Sequence, residues 1–250
     1  MLFNIYRSLL SHFGPQNWWP AEGGFQPREW EICIGAILTQ NTNWKNVEKA
    51  LANLKEAKAL SPEGIAQMNV AKIAKLIRPS GYFRQKAKRL KEFAKFVLSF
   101  PGFNEFLDSI TREQLLQANG IGRETADSIL LYACNRPVFV IDAYTRRILS
   151  RIGMIDESLD YDDIRLYLEY QLGSADDARR FSALKEKEIV QLYNEFHALL
   201  VALGKNICTK SEPACGECPI SDHCRHGAKA LGKPAPSFDS RGSLAVLGGH

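Results

Sequence analysis

The sequence predicts an all-α fold. Apolar residues recur at helical spacing through most of the chain, and short Pro and Gly breakers cut those stretches into separate pieces. The one strand-like run, "PVFVI" at 137–141, has no partner elsewhere and reads as a buried extended connector.

The elements follow in order. In "MLFNIYRSLLSHF" the residues Leu2, Tyr6, Leu9 and Phe13 lie on one helical stripe, so a packed N-terminal helix is expected. The stretch has no basic leader, and Arg7 and His12 interrupt it, so it is not read as a signal peptide. A cytoplasmic, reducing compartment is therefore expected, with stable disulfides disfavoured. "EWEICIGAILTQ", "KAKRLKEFAKFVLSF" and "KEIVQLYNEFHALLVALGK" are the clearest later helices. Breakers separate the pieces at Ser61-Pro62, Pro79-Ser80-Gly81, Pro101-Gly102, Gly120 to Gly122, and Asn135 to Pro137. No internal repeat at a solenoid period is visible. The last stretch, 227–250, is rich in Gly, Pro and Ser and predicts a mobile tail.

Composition sets limits. The 250 residues, 45% apolar and 24% charged, suit a globular chain of one large or two small domains. No run approaches the roughly 18 apolar residues of a membrane span, so no membrane partner is expected. The net charge of +4 is small, and affinity for a polyanion would have to come from a local patch.

Four of the six cysteines crowd into "CTKSEPACGECPISDHC": Cys208, Cys215, Cys218 and Cys224, spaced C-x6-C-x2-C-x5-C. Two disulfides are disfavoured by the compartment. Zinc sites usually pair their ligands as two close couples, and only one close couple exists here. Four thiolates on an open loop reach the corners of a four-iron cubane, which the spacing favours modestly over zinc. Pro213 and Pro219 stiffen the loop and reduce the entropy lost in ordering it.

In "TREQLLQANGIGRETADSILLYA" a helix ends near Gln117, a Gly120-Ile121-Gly122 hairpin follows, and a second helix opens at about Arg123. Glycines permit close approach of a partner, and the amides at the new helix start suit a nucleic-acid phosphate. An ordinary helix joint with a Gly cap explains the same residues. The connector then delivers Asp142 to the start of another helix, where a carboxylate is also a favoured N-cap.

Taken together, "NGIGRETA", the apolar run ending in Asp142 and the four-cysteine loop resemble the endonuclease III family of helix-hairpin-helix DNA glycosylases over about residues 1–226. The resemblance implies two helical domains: a central one at 26–134 containing the helix-hairpin-helix (about 115–133), and a second formed by 1–25 and 135–226. It also implies a [4Fe-4S] cluster held by loop 208–224, Asp142 as the catalytic carboxylate, and a base flipped out of damaged double-stranded DNA. Bifunctional members carry a Schiff-base lysine where this chain has Glu124. A carboxylate cannot form an imine, so a monofunctional hydrolase without strand cleavage is expected, Glu124 being a second candidate catalytic residue. "WWP", "LTQNT", "RPSGYFRQKAKRL" and "GIGRETADSILLYAC" resemble the 3-methyladenine glycosylase subgroup. Some members of that subgroup lack the cluster cysteines, so this chain combines both traits.

Within that resemblance Trp18, Trp19, Trp44 and Lys205 are expected to line the base pocket, where aromatic faces suit a cationic alkylated purine. Trp30 is expected only to pack. Gln40 matches the position that fills the gap left by the extruded base. Gly120, Gly122, Arg123, Lys86, Lys88 and Arg89 are expected at the DNA, the last three within the densest basic run, Arg84 to Lys91. A monomer is expected. The competing expectations are a glycosylase for uracil, thymine mispairs or oxidised pyrimidines, and a non-catalytic DNA-binding module.

Overall fold

The computed structural model describes residues 1–19, 26–59, 61–173 and 185–236. Every regular element among them is helical. The helices are α1 (Leu2–Phe13), α2 (Arg28–Leu38), α3 (Trp44–Glu56), α4 (Pro62–Gln67), α5 (Val70–Leu76), α6 (Phe83–Val97) and α7 (Phe103–Ser109). They continue as α8 (Arg112–Gln117), α9 (Arg123–Ser128), α10 (Ala143–Ile152), α11 (Tyr161–Gly173), α12 (Glu186–Asn206) and α13 (Arg225–Ala230). The chain divides into two compact units, Trp19–Arg136 and Met1–Trp18 with the chain from Pro137 onward. No described helix is long and apolar enough to cross a membrane.

Several helix starts follow from residues that answer free amides. Ser61, ahead of Pro62, accepts from the Gly64 amide at 3.1 Å, and Asn43 accepts from Asn46 at 3.1 Å. Thr111 and Gln114 form a reciprocal capping box that opens α8.

In the Trp19–Arg136 unit, α6 packs on α4, α5 and α2. Its core is aromatic: Trp30 is fully buried and stacks on Phe93 at 5.9 Å, with Phe106 edge-on to Phe93 at 6.1 Å. Trp30 is thus a packing residue. Beyond α9 the chain widens into a π-helical turn, Ile129–Ala133, all five residues of which are buried.

In the other unit, α12 is the central element and packs against α1 and α10. Leu2, Ile5 and Leu9 form the buried stripe of α1, and the Tyr6 ring meets Phe196 edge-on at 5.6 Å. Residues 137–141 are an irregular extended segment with Phe139, Val140 and Ile141 buried. Side chains supply the acceptors a sheet would otherwise provide: the Phe139 amide donates to Glu169 at 2.9 Å and the Ile141 amide to the Tyr161 hydroxyl at 3.2 Å.

The segment expected as tail starts with helix α13, whose Gly227 and Ala228 are buried. The Cys224 thiol accepts from the Gly227 amide at 3.3 Å and so caps this helix. Residues 237–250 of that tail lie outside the described residues.

Candidate functional site

Asp142 closes the extended segment and opens α10. Its Oδ1 accepts from the Thr145 amide at 2.7 Å, the N-cap role its position suggests. The other oxygen, Oδ2, lies 3.7 Å from Nε2 of His197, a buried residue of α12. Burial pushes the Asp142 carboxyl up. The nearby His197 side chain and the bond from the Thr145 amide outweigh that effect, so the carboxyl lies below its ordinary value. The side chain keeps 14% of its surface exposed. An ionised carboxylate with one oxygen fixed and part of its side chain open to the surface can stabilise a developing cation.

The same unit gathers two more of the expected residues. Trp18 is half-buried, its ring 5.6 Å from the His197 ring at a 45° tilt. The exposed Lys205 ammonium lies 6.0 Å from the Trp18 ring centroid, at the outer limit of cation–π attraction. His197 and Lys205 are eight residues apart on α12, which puts them on one face.

The four cysteines of 208–224 carry no disulfide. All four line one cavity, whose apolar wall includes Ile148, Ile152, Leu203, Ile207 and Ile220. Among the described residues no three His, Cys, Asp or Glu side chains are grouped to hold a single metal ion. Polar groups meet the sulfurs: Arg151 Nη1 donates to Cys208 Sγ at 3.2 Å, besides the Gly227 amide on Cys224. Arg151 also donates to the carbonyls of Thr209 at 2.6 Å and Lys210 at 2.8 Å, and Arg147 to those of Gly204 and Cys208. Helix α10 therefore carries Asp142 at its start and fastens the cysteine loop along its length.

The Trp19–Arg136 unit holds the helix-hairpin-helix. Gly120 has φ +80°, which favours glycine, and a Cβ there would run into the Arg89 side chain. At Gly122 a Cβ would meet nothing within 4 Å, so the backbone is open to an approaching partner. Arg123 and Glu124 are exposed in the first turn of α9. A carboxylate there is favoured by the helix dipole, an ordinary structural role for Glu124. Arg112 of α8 reaches Asp127 of α9 with two hydrogen bonds, at 2.6 and 3.2 Å, and Asp127 is fully buried. This pair braces the two helices of the motif.

Gln40 is folded against that motif. Its amide nitrogen donates to the Gly120 carbonyl and to Thr125 Oγ1, both at 3.0 Å, and its oxygen accepts from Arg89 Nη1 at 2.7 Å.

Lys86 does not belong among the DNA contacts. It is 1% exposed, and its ammonium donates to the carbonyls of Leu38 at 2.8 Å and Ser80 at 2.7 Å. Burial, and the Arg89 charge after it, push Lys86 down to about 8. It caps the C-terminus of α2 and cannot reach a phosphate. Lys88 is exposed and Arg89 half-buried.

Trp19, expected in the base pocket, is buried at 7% exposure. Its indole lies edge-on to Trp44 at 5.3 Å and tilted against Tyr132 at 5.1 Å. It also sits over Gly35, where a Cβ would come within 3.0 Å of the ring. Trp19 thus supports Trp44, which stays half-buried.

His197 and the Arg112–Asp127 pair were not legible as functional groups in the sequence. A histidine on an apolar helix carries no local signal of a carboxylate partner.

Comparison with known proteins gives a consistent picture. The family model described as HhH-GPD superfamily base excision DNA repair protein matches residues 34–172. A protein of Methanocaldococcus jannaschii named as a DNA repair glycosylase is 43% identical over 230 residues, 90% of this chain and 96% of the relative. Endonuclease III of Sulfolobus acidocaldarius is 30% identical over 194 residues, 77% of this chain and 80% of the relative. Among solved structures, the 3-methyladenine DNA glycosylase of H. pylori bound to 1,N6-ethenoadenine superposes with a TM-score of 0.71. It is 36% identical and covers 81% of this chain and 96% of its own.

Proposed function

Because the chain belongs to the HhH-GPD superfamily of base excision DNA repair proteins and is a DNA glycosylase, we propose that it hydrolyses the N-glycosidic bond of alkylated purines of the 3-methyladenine type. The observation that carries this reading is Asp142: an ionised carboxylate, fixed through Oδ1, with no lysine at position 124. Likeness to the H. pylori 3-methyladenine glycosylase supports the choice of base.

The duplex meets the hairpin amides around Gly120 and Gly122 and the cations Arg123 and Lys88, and the damaged nucleotide is flipped out. Each unit offers a half-buried indole for stacking, Trp18 in one and Trp44 in the other. Alkylation places positive charge on the base and weakens its bond to the sugar. Asp142 then stabilises the cation that develops on the sugar and orients the attacking water. A Schiff base would need a lysine where Glu124 stands, so the product is an intact abasic strand.

Cys208, Cys215, Cys218 and Cys224 hold a [4Fe-4S] cluster. A shared cavity with an apolar wall and N–H donors on two sulfurs fits such a group. When bound, the cluster supplies thiolate–iron bonds that fix the loop. The protein acts as a monomer in the cytoplasm.

The test is a panel of duplexes, each bearing one lesion, scored for base release with and without alkali. Release of 3-methyladenine ahead of other bases, with strand breaks only after alkali, is expected. Faster release of uracil or thymine glycol overturns the substrate reading. Strand breaks without alkali, together with borohydride trapping, would point to another lysine, Lys205 first.

A further inference from the structure

The buried histidine beside Asp142 has no part in the mechanism as stated so far. We infer that His197 is a positioning residue for Asp142, its imidazole sitting 3.7 Å from Oδ2 while the Thr145 amide holds Oδ1. This rests on the glycosylase reading of Asp142 and names a further residue that the reaction needs.

The geometry separates the two carboxylate oxygens. Oδ1 is held by a short charge-assisted bond, which leaves rotation about that bond as the main freedom of Oδ2. His197 Nε2 faces Oδ2, beyond direct hydrogen-bond length but within reach of a shift of under about 1 Å. His197 is itself held in place. Its ring packs against Trp18 at 5.6 Å and edge-on to Phe139 at 6.5 Å, and Phe139 in turn meets Tyr193 at 5.3 Å and Phe196 at 5.9 Å. Two rings flank the imidazole, and one of them is itself held by two more, which restrains it from turning away from the carboxylate.

A packing role alone would be met as well by an apolar ring. A nitrogen at this place does something an apolar ring cannot: it offsets the cost of keeping a buried carboxylate ionised. The direction of the Asp142 shift agrees, since burial alone would raise it. The same imidazole is the wall against which Trp18 packs. The indole offered to the base and the carboxylate offered to the sugar therefore share one support, and displacing His197 disturbs both.

The experiment compares wild type with His197→Gln and His197→Phe. Phenylalanine keeps the ring packing without a nitrogen, and glutamine keeps a polar nitrogen without the ring. Single-turnover base release should fall about tenfold or more in His197→Phe and much less in His197→Gln. Affinity for an abasic-site duplex should stay within about twofold in both, so that the loss lies in the chemical step. A second readout uses no substrate: 13C titration of the Asp142 carboxyl, which should move to higher pH in His197→Phe. Release by His197→Phe at the wild-type rate overturns the inference. So does a wild-type Asp142 that titrates at or above the ordinary aspartate value of about 3.9, whether or not either variant folds. A wild-type protein that releases no base at all would instead sink the glycosylase reading, and the titration would still decide the role of His197.

Discussion

The side-chain oxygen of Gln40 accepts a hydrogen bond from the Arg89 guanidinium at 2.7 Å, while the Gln40 amide nitrogen donates to the Gly120 carbonyl and Thr125. Three bonds thus dock the tip of the "LTQNT" segment onto the helix-hairpin-helix. The relationship also divides the basic run: Arg89 is engaged with Gln40, Lys86 is buried under α2, and Lys88 alone of these three is exposed.

That division predicts distinct salt dependences. Lys88→Ala should reduce the slope of log affinity against log salt by about 1, the signature of one lost phosphate contact. Lys86→Met should leave the slope unchanged and lower stability, because the buried ammonium's bonds to the Leu38 and Ser80 carbonyls are lost. Fluorescence anisotropy with a labelled duplex over a salt series measures both. A reduced slope in Lys86→Met would contradict its buried position.

The Arg112–Asp127 pair predicts a large stability effect away from any catalytic group. Arg112→Ala leaves the buried Asp127 carboxylate without its bidentate partner, at a cost of about 3 kcal/mol. Urea unfolding should show this loss, and affinity for undamaged duplex should fall with it as the two helices of the motif lose their brace. A cost under about 1 kcal/mol would place the pair with weak surface bridges.

The helices were legible because their apolar residues repeat at 3.6, and α2, α6 and α12 lie where that period puts them. Asp142 was legible through its place after the connector. What escaped the sequence depends on long-range partners. Lys86 sits in a basic run expected at the DNA, and only the carbonyls of Leu38 and Ser80, brought in by tertiary packing, explain its burial. Trp18 and Trp19 are neighbours in a polar stretch, yet one packs on His197 and the other on Trp44 and Tyr132, a difference no local pattern encodes. Nothing in "NEFHALL" points to a carboxylate 55 residues upstream of His197.

Iron should account for the cysteine loop. Protein prepared anaerobically should be yellow-brown and contain iron and acid-labile sulfide in equal amounts. Arg147→Ala, which removes the donors on the Cys208 and Gly204 carbonyls, should speed the loss of that absorbance on dilution into chelator. Stoichiometric zinc without iron would contradict the cluster.

Asp142 carries the central claim, and the Asn variant separates its two roles. Asparagine caps helices about as well as aspartate, so Asp142→Asn should keep stability within about 1 kcal/mol near neutral pH. In the wild type the depressed carboxyl adds stability that is present above the unfolded value of about 3.9 and lost as pH falls through the lower folded value. The Asn variant should lack that acid-dependent part. The most direct measurement is single-turnover base release by Asp142→Asn from a 3-methyladenine duplex, alongside its affinity for an abasic-site duplex. The account predicts that release is abolished while affinity is kept or tightened, since a negative charge near phosphate is removed. Release at a rate near the wild type would contradict it and leave Asp142 as the N-cap of α10.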